Sequence, residues 1–149
     1  MDPENHHPSV HLVAGGFEDD VDEGLVPILR LAWEIGIETM SGCQDAGESL
    51  ADLPKRHPHM ADYVKRRQGW AYIDFFNDGI EAFLTMVLAG EPSKEMWYRM
   101  YHWLAPDAWQ KSCSVHTLDD DVFHVLGAKL SFPVYDIDEI AACLERASV

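Results

Sequence analysis

Apolar and polar residues change their spacing several times along this chain, and each change marks an expected element. Residues 9 to 14, SVHLVA, read as a short strand closed by Gly15-Gly16. The acidic run Glu18-Asp19-Asp20, continued by Asp22 and Glu23, is expected to open a helix, because negative charge suits a helix N-terminus. Leu25, Ile28, Leu29, Ala32 and Ile35 recur at helical spacing, with Pro27 tolerated in the first turn and Gly36 as the stop. A strand follows over 37 to 41. Residues 44 to 68 are polar, carry Pro54 and Pro58, and read as a long excursion with a short helix over 59 to 67. Residues 70 to 76, WAYIDFF, are rich in strand formers.

The clearest helical stripe comes next. Ile80, Phe83, Leu84, Val87 and Leu88 share one face, with Asn77 or Asp78 as cap and Gly90 as terminator. Ser93 caps a further helix, KEMWYRMYHWL, that stops before Pro106. Its Met96, Trp97, Tyr98, Met100, Tyr101, Trp103 and Leu104 surround most of the circumference, which implies a deep position or a patch for self-association. Two strands near 108–117 and 122–132 are joined through Leu118 and Asp119-Asp120-Asp121. Leu126, Ala128, Leu130 and Phe132 alternate with polar or small residues. Phe123 and Val125 fall out of phase, so Gly127 is expected to mark a bulge. Asp136 and Glu139 have capping-box spacing before a final helix whose inner stripe is Ile140, Leu144 and Ala147.

The resulting order, βαβ–βαα–ββα, predicts an α+β two-layer sandwich: a mainly antiparallel sheet with helices on one face, partly ferredoxin-like in its first elements. A small three-layer α/β domain is the alternative. At 149 residues the chain has the size of one domain, expected over 9 to 149 behind a loose leader at 1 to 8. No apolar run approaches the ~20 residues of a membrane span, and the start lacks the regions of a signal peptide. Three scattered cysteines form no disulfide framework, so a reduced, cytoplasmic protein is expected.

Charge sharpens this picture. The net charge of −15 disfavours nucleic acid as a partner, since backbone phosphates demand surplus Lys and Arg. Yet Lys55, Arg56, Lys65, Arg66 and Arg67 give residues 50 to 68 a net +3. An acidic protein thus carries one basic island, whose plainest role is a solvated surface.

Candidate chemistry centres on the second strand's end, GIETMSGCQDAGES, where small residues surround Cys43. A thiol at the start of a helical turn can act as a nucleophile, which makes Cys43 the candidate catalytic residue, with His11, His57 and His59 as the histidines to supply a base. A structural, unreactive Cys43 is the plainer alternative. Ser41, Cys43, Gln44 and Asp45, with Lys55, Arg56 and His57 of the basic island, are the expected contacts of a small polar or anionic ligand. No metal site and no cofactor are expected. His57-Pro58-His59 lacks further ligands, and Cys113 and His116 fall on opposite faces of a strand, Cys113 sharing the core face with Trp109 and Val115. The triple aspartate lacks the glycine and distal glutamate of an EF-hand loop. The chain has no P-loop, dinucleotide-binding glycines, G-x-S-x-G or H-E-x-x-H.

From Asp22 to Asp45, a helix ending at Gly36 and then Ile37-x-Thr39-x-x-x-Cys43-Gln44-Asp45 resembles an element of uncharacterised bacterial and phage proteins, in which Ser-Cys-Gln follows a G-I-x-T-like strand. Here Gly42 separates Ser41 from Cys43. The likeness covers about a sixth of the chain and implies no particular activity. The strand end is also faintly similar to the Ser-Cys strand end of wybutosine-type transfer-RNA modification enzymes, a comparison the acidic charge opposes and the basic island supports.

Three functions follow as expectations. The first is a soluble binding domain, dimeric with itself and apart from membranes, that takes a small polar ligand near Ser41 to Asp45. The second is an enzyme using Cys43. The third is an interaction module whose acidic surface mimics nucleic acid.

Overall fold

The structure, a computed structural model, describes residues 7–76, 78–118 and 123–148. Strands β1 (Ser9–Ala14) and β2 (Phe17–Asp22) form an antiparallel hairpin, paired from Ser9↔Asp22 to Ala14↔Phe17. The acidic run is therefore a strand and not the opening of a helix. Its cause is the turn: Gly15 and Gly16 adopt φ of 57° and 87°, the two positive angles of a type I′ reversal. Glu18, Asp19 and Asp20 stay exposed on the returning strand, where water solvates their charge. Because β1 pairs with β2 alone, the expected opening βαβ unit does not form.

Beyond a 3-10 turn at Glu23–Leu25 lies helix α1 (Val26–Glu34), with Pro27 in its first turn and Ile28, Leu29, Ala32 and Trp33 buried. Strand β3 (Thr39–Cys43) follows Gly36. The polar excursion is helical: α2 (Ala46–Ser49), α3 (Leu53–Arg56) and α4 (Ala61–Arg67) lead to β4 (Trp70–Phe76). Helices α5 (Gly79–Ala89) and α6 (Lys94–Tyr101), strands β5 (Gln110–Leu118) and β6 (Phe123–Pro133), and helix α7 (Ile137–Ala147) complete the chain. The turn expected at Asp119 to Asp121 and the cap expected at Asn77 lie outside the described residues.

The larger sheet has the order β3-β4-β6-β5, with every pair antiparallel. Alternation along the strands separates its faces. Ala71, Ile73, Phe75, Leu130 and Phe132 join Phe83, Val87, Ile140 and Leu144 of the helices in one buried cluster. Tyr72, Asp74, Lys129 and Ser131 take the alternate positions. The fold is thus α+β, as its patterning indicates. The register shift falls between Thr39 and Ser41, whereas Ser114↔Gly127 continues an unbroken ladder, so Gly127 marks no bulge.

Two local expectations change with packing. Ser93 caps α6 by accepting from the Met96 N–H at 3.1 Å, but the Asp136–Glu139 pair forms no box. Asp136 accepts from Arg99 and from the Trp109 indole, while Glu139 accepts from Ser93 N and Oγ. Cys113 is exposed rather than buried with Trp109, since it lies on the edge strand β5 in an open groove beside α5. In α6, only Met96 and Met100 are buried, while Trp97, Tyr98 and Tyr101 are exposed on the outer side. Among the described residues no helix is long and apolar enough to cross a membrane.

Candidate functional site

Three stretches far apart in sequence meet where β2 and β3 end. Hairpin register starts the assembly. Ser9 lies opposite Asp22, and the Glu23 N–H donates to the Pro8 carbonyl at 2.9 Å, so the residues ahead of β1 are held against the end of β2. His7 is thereby brought inside. Its Nε2 donates to the Asp45 carbonyl at 3.0 Å, which joins it to the turn after β3. That turn is fastened to β2 in return: Gln44 N–H donates to Asp22 Oδ2 at 3.0 Å, and Gln44 Oε1 accepts from Gly24 N–H at 2.6 Å. Asp45 Oδ2 also accepts from Gly69 N–H, at the entrance of β4.

The result is a cluster of His7, Asp22 and Cys43, with 1%, 6% and 6% of their surfaces exposed. One donor atom from each, a ring nitrogen, a carboxylate oxygen and the sulfur, lies within 4.8 Å of the other two. Since a carbonyl can only accept, the Asp45 bond places the imidazole proton on Nε2 and leaves the lone pair of neutral His7 on Nδ1. A backbone carbonyl fixing the far nitrogen is the arrangement that orients metal-binding histidines.

Around the cluster the sheet is polar. Tyr72 stands opposite Cys43 in register, and its phenol is pushed up to about 12, first by burial and then by the negative charge of Cys43 and Asp74. It stays protonated at neutral pH. Lys129 Nζ lies 4.4 Å from the centre of the Tyr72 ring. One residue row away, Ser41 Oγ donates to Asp74 Oδ2 at 2.7 Å. A cavity of about 140 Å³ between hairpin and β3 is lined by Asp19, Asp20, Asp22, Thr39 and Ser41 among others.

The expected site residues divide between these places. Cys43 is a member of the cluster, and Gln44 and Asp45 build its frame through bonds inside the protein. Ser41 is engaged with Asp74. Lys55, Arg56 and His57 are exposed on α3 and at its end, with Lys55 3.0 Å from Asp52. None of the three histidines considered for Cys43 is in the cluster. His11 is exposed between Asp20 and Glu18, and His57 pairs edge-on with His59 at 5.8 Å. His7 and Asp22 are what sequence reasoning missed. The available signal was Gly15-Gly16 between two runs of strand length, which announces a two-residue hairpin and places Asp22 beside the chain entering β1.

Chemically, the cluster offers nitrogen, oxygen and sulfur donors together in a dry setting. Zinc bonds of about 2.0 Å to N or O and 2.3 Å to S put tetrahedral donors about 3.3–3.5 Å apart, so closure on an ion takes side-chain movements of about 1 Å. Comparison with protein-family models, with curated proteins and with solved structures returned no match to this chain.

Proposed function

We propose that this chain is a metal-binding domain, in which His7 Nδ1, an Asp22 carboxylate oxygen and Cys43 Sγ hold one zinc-class divalent cation. The observation that carries the reading is the convergence of three chemically different ligands, all buried, from three separate segments. A thiolate with an imidazole favours zinc over magnesium or calcium, which take oxygen donors. Burial and the framing bonds of Gln44 and Asp45 hold the three donors in place, so a bound ion would fasten the N-terminal segment and the hairpin to the end of β3. Three protein donors leave one tetrahedral position for water or another ligand.

The test is cobalt(II) loading of reduced protein under anaerobic conditions. The expected result is one cobalt per chain with a thiolate-to-cobalt charge-transfer band in the near ultraviolet. Cys43→Ser removes the band, and His7→Gln weakens binding by more than about tenfold. Absence of the band, or a band that survives Cys43→Ser, overturns the proposal.

Proximity of Cys43 to His7 supports a second reading, a nucleophilic cysteine with His7 as base. Alkylation separates the two. A metal-held thiolate reacts only after a chelator is added, whereas an activated nucleophile reacts without one. A polar-ligand site at Ser41 to Asp45 has less support, because Gln44 and Asp45 are engaged within the protein.

A further inference from the structure

We infer that the outer edge of β5 is where two copies of this chain meet, strand against strand, to make one continuous sheet. The inference is independent of the metal reading. β5 terminates the order β3-β4-β6-β5, so its outer row of backbone N–H and C=O groups faces away from the sheet. Such a row is a template for another strand unless charge, proline or a covering element blocks it. Among the described residues of this edge the guards are few. Residues 108 to 118 hold no proline and no acidic residue, in a chain with 26 of the latter among 149. The single lysine of the strand, Lys111, is exposed but tethered, its Nζ donating to the Met100 carbonyl at 3.3 Å.

Beside this edge the sheet is also uncovered. The pairs Cys113↔Ala128 and Val115↔Leu126 share the face of Leu130, which is fully buried by the helices. Farther from Leu130 along these strands the same face opens out: Val115 is 64% and Leu126 62% exposed. Between it and α5 runs an apolar groove of about 480 Å³, walled by Leu84 and Leu88 and floored by Cys113 and Ala128.

The occupant assigned to this surface is a second copy, which meets no charge barrier there. Two chains of net charge −15 repel wherever their acidic surfaces face, so a self-contact needs a locally neutral place. This groove is one, for among the described residues its charged lining is Glu81 and Lys111, one of each sign. An antiparallel β5–β5 contact about a two-fold axis normal to the sheet puts both helical layers on the same side. Each protomer's groove then adjoins the exposed Val115 and Leu126 of the other.

Cys113 supplies the probe, being the exposed cysteine, whereas Cys43 and Cys143 are buried. Sedimentation velocity over a dilution series is expected to show a dimer, and a short bismaleimide is expected to link it covalently through Cys113. Cys113→Ser abolishes the link and leaves the dimer intact. Val115→Lys, and separately Leu126→Lys, give monomers with an unchanged circular dichroism spectrum. A monomer at every concentration overturns the inference, whether or not it binds an added extended peptide. So does a dimer that resists cross-linking and both lysine variants.

Discussion

At the scale of single residues, Asp136 shows how burial assigns a side chain its work. It is 1% exposed and accepts from Arg99 Nε and Trp109 Nε1, each at 2.9 Å, and again from Arg99 Nη2. Breaking a buried ion pair leaves the surviving charge without compensation, at a cost of roughly 3–5 kcal/mol. Asp136→Ala is expected to lose about that much in urea unfolding, and Asp136→Asn less, because an amide oxygen still accepts. His11 behaves differently because it is exposed. Hydrogen bonds to Asp20 and then Glu18 raise its pKa above the ordinary 6.5. A raised folded-state pKa means that the stabilisation is complete below the unfolded value of about 6.5 and is lost as pH rises through the folded value. His11→Gln should therefore melt below the parent protein at about pH 5.5, and the gap should close by about pH 8.5.

Among the elements, the helices of the second half were legible because each carries its own local instructions. The stripe of α5 and the serine cap of α6 need no distant partner to be read. The front half was not, because two local rules compete there. Acidic residues from Glu18 to Glu23 suit a helix start, but the Gly15-Gly16 reversal hands them a strand to pair with. Asp136 and Glu139 likewise satisfy a capping pattern, yet tertiary partners claim both carboxylates. The candidate site was the least legible part. Positions 7, 22 and 43 follow no ligand spacing, and only hairpin register brings them together. Cys43 could be singled out from its setting; its partners could not. Contact between elements also sets a testable tolerance. A Cβ on Gly90, at the end of α5, would collide with the Cys143 carbonyl oxygen of α7. Arg146 Nε donates to the Gly90 carbonyl at 2.8 Å across the same junction. Gly90→Ala must force the two helices apart and is expected to cost about 1–3 kcal/mol in chemical denaturation.

For the molecule as a whole, the proposed ion acts on stability by mass action. A ligand bound only by the folded state adds about 4 kcal/mol when its concentration is a thousand times its dissociation constant. Added zinc should raise the melting temperature of the parent protein and leave that of the Cys43→Ser variant unchanged; equal shifts would place the ion elsewhere. Distribution matters as much as magnitude here. The two-stranded β1–β2 sheet is separate from the main one, and a lone hairpin is marginal in water. It rests on α1 through Leu12 and the edge-on Phe17–Trp33 contact, and on the turn after β3 through His7 and Asp22. The hairpin is therefore the part whose opening the ion would govern most directly. Deuterium uptake by its amides, compared with that of β4 and β6, becomes a gauge of how much metal the protein holds, readable in a mixture without isolating the loaded form.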